Sequence, residues 1–173
     1  LDLLAAVPRF GEADRHFATE AYQNLRTALI FARRDDLGQV VLITSTAPQE
    51  GKTTTLVNLA QLLAASGEPT VVVDCDLRRA QIHHRLGLPR EPGFTDLFTK
   101  HEDLALIQET RVPNLSAITA GPPPPNPPAV LAKKPEKKSA IESLGAIFAG
   151  RKSTNWQLDE LSAAAQAGLK ARN

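Results

Sequence analysis

Nine residues from Thr46 to Thr54, reading Thr-Ala-Pro-Gln-Glu-Gly-Lys-Thr-Thr, have the types and spacing of a phosphate-binding loop. They follow the apolar run Val40-Val41-Leu42-Ile43, which predicts a strand, and precede a helical segment from Leu56 to Ala65. A strand that ends in such a turn directs backbone N–H groups and the positive end of the next helix at one point, which suits a polyphosphate. The pattern therefore predicts a nucleotide site formed by Gln49, Glu50, Gly51, Lys52, Thr53 and Thr54.

Two side chains of this loop carry the expected chemistry. The Lys52 ammonium would reach the β- and γ-phosphates, and the Thr53 hydroxyl would help to hold Mg²⁺. The usual pattern begins with glycine at the position of Thr46, so the match is incomplete. In the alternative interpretation, Gly51 only forms a turn and Lys52 is a solvated lysine. The predicted strand before the loop and helix after it favour the phosphate site.

Two aspartates follow a second apolar run. Thr70 to Val73 is β-branched and predicts a buried strand, with Asp74 at its end and Asp76 two residues later. Ligands of open parallel sheets bind at the carboxyl ends of strands. We therefore expect the two carboxylates beside the loop, where they would bind Mg²⁺ or accept a proton from an attacking hydroxyl. Alternatively, Asp76 caps the next helix and Asp74 only ends the strand. Cys75, the single cysteine, is interpreted as a small buried hydrophobe.

These motifs, with others in the same order, resemble the bacterial tyrosine autokinases (BY-kinases) of exopolysaccharide and capsule synthesis. The resemblance covers roughly residues 1 to 131. The segments that carry it are Glu20 to Thr27, Thr44 to Thr54, Asn58 to Ala60, Val73 to Arg79, Gly93 to Leu97, Ala120-Gly121 and Pro125 to Pro127.

The resemblance implies an α/β fold, with a P-loop NTPase-like parallel sheet flanked by helices. It implies ATP and Mg²⁺ as cofactors and phosphoryl transfer to a tyrosine cluster of a neighbour in a ring. Lys52 would contact phosphate, Thr53 and Asp76 would serve the metal, and Asp74 would be the base or a second metal contact. The expected partners are a membrane activator or polysaccharide co-polymerase protein, and further copies of the chain through the helix that carries Glu20 and Arg26.

The sequence departs from the family pattern at several places. From Ala132 onward, no run of four apolar residues ends in an acidic residue, so the family's third acidic motif is not recognised. The only tyrosine is Tyr22, and Gln23 occupies the middle place of the helix motif in which the family has arginine. We therefore expect nucleotide binding with little autophosphorylation. Two other functions stay open: a non-catalytic nucleotide-binding regulatory subunit, and an ATPase switch of the partition type.

Composition sets the wider limits. With 20 basic and 19 acidic residues among 173, no general nucleic-acid-binding surface is expected. The sequence has neither the roughly 18 to 20 continuous apolar residues of a membrane span nor a signal-peptide pattern, so we expect a cytoplasmic chain that reaches the inner face of the membrane through a partner. Three regions are predicted: a connector at 1–15, a nucleotide-binding domain at 16–131, and an atypical, basic helical tail at 132–173.

Apolar periodicity and turn residues predict the order of elements. Helices are expected at 16–33, from the loop to Ser66, at 81–86, 101–109, 129–132, 139–149 and 155–171, and a further strand at 114–120. His83 and His84 are adjacent, so on a helix they point about 100° apart and do not share a metal ion easily. Both are predicted to be surface histidines.

Overall fold

The computed structural model describes residues 15–32, 39–98 and 106–132. The predicted connector up to residue 14 and the predicted tail, with its helices at 139–149 and 155–171, lie outside these residues. None of the described helices combines the length and apolar character needed to cross a membrane. The elements are α1 (Arg15–Ala32), α2 (Lys52–Ala65), β1 (Thr70–Val73), α3 (Ile82–Leu86), a 3₁₀ helix (Phe94–Phe98), β2 (Gln108–Glu109), β3 (Leu115–Ile118) and α4 (Pro127–Leu131).

The described strands form one mixed sheet in the order β1-β3-β2. β1 and β3 are parallel, with Val72 opposite Ala117, whereas β2 runs antiparallel to β3 and places Gln108 opposite Ala117. The predicted α/β architecture with parallel pairing is therefore confirmed, and the antiparallel edge is a difference from the prediction.

Alternate residues of the strands bury opposite faces of the sheet, as the two-residue period of a strand requires. On one face, Val72, Leu115 and Ala117 pack with Ala60 and Ala64 of α2. The other face carries a larger cluster formed by Leu77, Ala80, Phe94, Leu106, Ile118, Ala120, Val130 and Leu131. Because both faces are covered, β3 is buried at the centre of the sheet, whereas β1 is half-buried and Glu109 of β2 is exposed.

Most predicted elements agree with the structure to within a few residues, but two do not. Residues 39–45 form no regular structure, and the side chains of Val40, Val41 and Leu42 are 43, 39 and 47% exposed. No described strand pairs with this segment, so its backbone groups lack the ladder of hydrogen bonds that defines a strand. The predicted helix at 101–109 is wrong at its end, because Gln108 and Glu109 pair with β3.

Two glycines hold the segment after α3 against the carboxyl end of β3. The Phe94 amide donates to the Thr119 carbonyl at 2.7 Å, and the Gly121 amide donates to the Arg90 carbonyl at 3.1 Å. A Cβ atom on Gly93 would lie only 2.6 Å from the Gly121 Cα, so the two backbones approach too closely for any side chain. This contact joins two of the sequence motifs that carry the family resemblance.

This close approach predicts a large cost for a single methyl group. Gly93→Ala forces backbone against backbone, and we expect it to lower the free energy of unfolding by more than about 3 kcal/mol. Gly67→Ala is the matched control, because Gly67 has a φ of +85° but open space around its Cα. It should cost only about 1–2 kcal/mol for the left-handed conformation. Urea unfolding of both variants measures the difference, and equal losses would contradict the close contact.

Candidate functional site

The turn before α2 leaves a set of backbone donors at the start of the helix. Gly51 has a φ of +90°, in the left-handed region that favours glycine, and it has no side chain to cap the helix. The first bond of the helix runs from the Thr55 amide to the Gly51 carbonyl at 2.8 Å. The amides of Lys52, Thr53 and Thr54 precede this bond, so they have no acceptor within the helix and are available to an anion.

The Lys52 side chain folds back across the loop. Its Nζ atom donates to the Ser45 hydroxyl at 2.9 Å, which places the ammonium over the turn and not out in solvent. A neutral hydroxyl is a weaker partner for an ammonium than a phosphate oxygen is. Lys52 is therefore placed to exchange this bond for a contact with a bound polyphosphate.

The Glu50 carboxylate stabilises the loop through hydrogen bonds to two residues at its start. Its carboxylate accepts a bond from the Ala47 amide at 3.0 Å and bonds from the Thr46 hydroxyl at 3.3 Å. The bond from the Ala47 amide is the main reason that the pKa of this exposed carboxyl lies below its usual value. Thr46 thus contributes a hydroxyl at the position where the usual pattern has glycine. The bond between the side chains of Thr46 and Glu50 stabilises the turn.

Asp74 is buried at the end of β1 and binds three backbone amides. Its Oδ1 atom accepts from the Asp76 amide at 3.1 Å, and its Oδ2 atom accepts from the amides of Gln81 and Ile82 at 3.2 and 3.1 Å. Burial is the largest influence on this carboxyl and raises its pKa, although the amide bonds oppose the shift. The amides at the start of α3 are therefore bound by Asp74, whereas Asp76 accepts from the Arg79 amide at 3.1 Å in the preceding turn.

Cys75 and the histidines of α3 lie close in sequence to the two aspartates. Burial, with a smaller contribution from the Asp74 charge, raises the pKa of Cys75 to about 12, so the thiol stays protonated at neutral pH. The prediction that both histidines lie at the surface is wrong for His83, which is buried on the inner side of α3. His84 is exposed, as predicted.

The direction of α2 brings the loop and the aspartates to the same edge of the sheet. The Asn114 side chain, just before β3, donates to the Ala64 carbonyl near the end of α2 at 3.3 Å. α2 therefore runs opposite to β1 and β3, and it begins at their carboxyl ends, where Asp74 and Asp76 follow β1. A bond of 3.3 Å from Arg85 Nη2 to the Thr54 hydroxyl also joins α3 to the first turn of α2.

The donor set of this edge fits a magnesium nucleotide better than a free metal ion. Within the described residues, no group of three or more His, Cys, Asp or Glu side chains could hold a metal ion. Mg²⁺ bound with a nucleotide needs only one or two protein carboxylates, because phosphate oxygens and water complete its shell. Thr53, Asp74 and Asp76 carry oxygens that would suit such an ion, and the loop amides with Lys52 carry donors that would suit phosphate.

Comparison with known proteins agrees with this chemistry. Residues 41–155 match the family model CbiA, described as the CobQ/CobB/MinD/ParA nucleotide binding domain. The chain belongs to this family. This nucleotide-binding domain is also 36% identical over 129 residues to the tyrosine-protein kinase YwqD of Bacillus subtilis. That alignment covers 74% of the chain and 54% of YwqD, so the chain spans about half the length of this relative.

Solved structures give the same classification. The nucleotide-binding domain resembles the chimerical protein CapA2B2 with a TM-score of 0.67 and 25% identity, covering 98% of this chain and 76% of that one. It resembles the BceF tyrosine kinase domain with a TM-score of 0.66 and 27% identity, covering 87% and 68%. The similarity to bacterial tyrosine kinases expected from the sequence is therefore confirmed, together with the P-loop NTPase-like fold.

The position of Lys52 predicts its contribution to nucleotide affinity. Lys52→Ala removes the ammonium over the loop, and we expect ATP binding to weaken by at least about tenfold, since bonds to charged groups contribute about 1.5–3 kcal/mol. Ser45→Ala is the matched control, because it removes the same bond to Lys52 but keeps the charge. Calorimetric titration with ATP measures both. Equal affinities of wild type and Lys52→Ala would contradict the assignment.

Proposed function

We propose that this chain is a Mg²⁺- and ATP-binding domain of the protein-tyrosine kinase type that acts in exopolysaccharide biosynthesis or chain-length control. The observation that supports this most is the shared sheet edge, where the Lys52 ammonium and the open start of α2 lie at the same end as Asp74 and Asp76. The family match supports nucleotide binding, and the similarity to YwqD and to the BceF kinase domain supports tyrosine phosphorylation.

Each residue of the site has a proposed role. Lys52 contacts the β- and γ-phosphates, and the loop from Gln49 to Thr54 surrounds the phosphate chain. The Thr53 hydroxyl and Asp76 hold the metal, and Asp74 is the base or a second metal contact. When bound, Mg²⁺ supplies neutralisation of the charge on the transferred phosphoryl group. The residues of the chain would contribute to catalysis by preorganisation, because their charged and polar groups are positioned before the substrate binds.

We propose further that phosphoryl transfer by these residues is weak. Asp74 has both carboxylate oxygens bonded to amides, which leaves Asp76 and Thr53 as the less constrained oxygens for the metal. Tyr22, the only tyrosine of the sequence, lies on α1 with 9% of its surface exposed. A hydroxyl acceptor must approach the phosphate in line, and a packed side chain on a helix has little freedom to do so.

Incubation with labelled ATP and Mg²⁺, followed by phosphotyrosine mapping, tests this activity. We expect little label on Tyr22, at most a few per cent of the chains, and only weak labelling of a supplied tyrosine-rich peptide. Asp74→Asn should abolish the labelling of the peptide. Strong label on Tyr22 that disappears in Asp74→Asn would show a complete site with an accessible acceptor, contrary to this proposal.

Two other functions share the same site and are separated by measuring free phosphate and oligomer mass alongside the phosphotyrosine assay. The family description includes MinD and ParA, which favours an ATPase switch of the partition type as the second candidate. That function would give free phosphate and nucleotide-dependent dimers. A non-catalytic regulatory subunit would bind ATP and release neither phosphate nor labelled tyrosine.

Assembly through α1 is a separate part of the proposal. Glu20 is exposed, and Arg26 is half-buried with an Nε atom that has no hydrogen-bond partner within the described residues. We propose that this face of α1 contacts a second copy of the chain. A membrane activator or polysaccharide co-polymerase protein is the proposed further partner, which would hold this domain at the cytoplasmic face of the membrane. The near-neutral charge offers no nucleic-acid surface.

Charge reversal on α1 tests the proposed contact. Changing Glu20 to Lys and Arg26 to Glu should reduce the oligomer mass seen by light scattering, since charged pairs set register and partner choice at interfaces. ATP affinity should stay within about twofold, because α1 carries no residue of the proposed site. A wild-type chain that is monomeric with and without Mg²⁺ and ATP would show that α1 makes no such contact.

A further inference from the structure

Arg85 brings a second cation to the start of α2. Its Nη2 atom donates to the Thr54 hydroxyl at 3.3 Å, across 31 positions of the sequence. Thr54 is the third residue of α2, so the guanidinium lies beside the same turn whose amides face the proposed phosphate position. Nothing in the loop motif itself points to Arg85, which lies on a different helix.

Buried contacts fix the helix that carries Arg85. Asp74 binds the amides at the start of α3, and the Arg85 amide donates to the Gln81 carbonyl at 3.1 Å within the helix. Ile82 is buried in the cluster that contains Ala60 and Ala64 of α2. The backbone of Arg85 is therefore held against α2, although the side chain itself is exposed.

The present bond of the guanidinium is a weak one. It is long, at 3.3 Å, and its acceptor is a neutral hydroxyl. A guanidinium has five N–H donors, and Thr54 is its one side-chain partner among the described residues. Bonds from guanidinium to phosphate oxygens are charge-assisted and are frequently bidentate. A phosphate chain at the start of α2 would therefore compete successfully with Thr54 for Arg85.

We propose that Arg85 is an additional nucleotide-binding residue, which contacts the phosphate chain from the side of α3 while Lys52 contacts it from the loop. This inference rests on the proposed function of the loop. Asp74 then has a second role, because the amides that it binds position the helix that carries Arg85. Since Arg85 is exposed, its contribution is reduced by salt and is smaller than that of Lys52.

A purely structural role for Arg85 would have different consequences. If the bond to Thr54 only joins α3 to α2, its loss would lower the melting temperature and would affect all nucleotides equally, independent of salt. A contact with phosphate would instead depend on the charge of the nucleotide, would weaken in high salt, and would be largely restored by lysine at position 85.

Calorimetric titration of the full chain with Mg·ATP and Mg·ADP tests the inference. Arg85→Ala should weaken Mg·ATP binding about five- to tenfold at low salt, weaken Mg·ADP binding less, and differ from wild type by under about twofold at roughly 0.5 M salt. Arg85→Lys should recover most of the affinity. Arg111→Ala, which removes an exposed arginine before β3 at the opposite end of the sheet, is the control for net charge and should match wild type.

The outcomes separate this inference from the proposed function. If Lys52→Ala weakens Mg·ATP binding and Arg85→Ala does not, Arg85 is not a nucleotide contact and the function of the loop stands. If Arg85→Ala lowers the melting temperature and weakens both nucleotides equally, with no recovery by lysine, the role of Arg85 is structural and the inference is overturned. If the wild-type chain binds neither nucleotide, the proposed function and the inference fail together.

Discussion

The bonds from three backbone amides to the buried carboxylate of Asp74 determine how this domain is arranged around its site. They connect the end of β1 to the turn at Asp76 and to the first residues of α3. A carboxylate withdrawn from water is costly unless it is hydrogen-bonded, so these bonds leave Asp74 few other conformations. α3 packs on α2, which begins at the phosphate loop. The Asp74 carboxylate therefore helps to fix the position of Arg85 relative to β1 and the loop.

The approach of Gly93 to Gly121 fixes the segment after α3 at the carboxyl end of β3. The backbone bonds around it hold the 3₁₀ helix against the end of β3, next to the edge where α2 begins. Thr95 and Thr119 are fully buried there and bond to the carbonyls of Pro122 and Arg90. The buried hydroxyl and backbone groups at the end of β3 are in this way hydrogen-bonded to neighbouring segments.

The sequence predicted the parts of this site that depend on local patterns. Gly51, Lys52 and the apolar run at 70–73 have signals that span only a few residues, so the loop, β1 and the start of α2 were located from sequence. The unpaired state of residues 40–42 was not predicted, because a local apolar run does not show whether another strand pairs with it. The partners of Asp74 and the bond between Arg85 and Thr54 could not be predicted either, since both depend on the packing of α3 against α2. The resemblance to bacterial tyrosine kinases identified motifs that lie far apart in the sequence. In the structure, the motifs that contain Gly93 and Gly121 are in backbone contact.

Cys75 gives this arrangement an internal chemical reporter. It is the only cysteine in the sequence, and it lies between Asp74 and Asp76 with a pKa of about 12. At neutral pH the folded chain therefore holds far less thiolate than a solvent-exposed cysteine would. A thiol-directed reagent consequently reacts slowly with the folded chain, in which Cys75 is half-buried. A rise in the rate of labelling then reports the local opening of the end of β1, with no engineered probe.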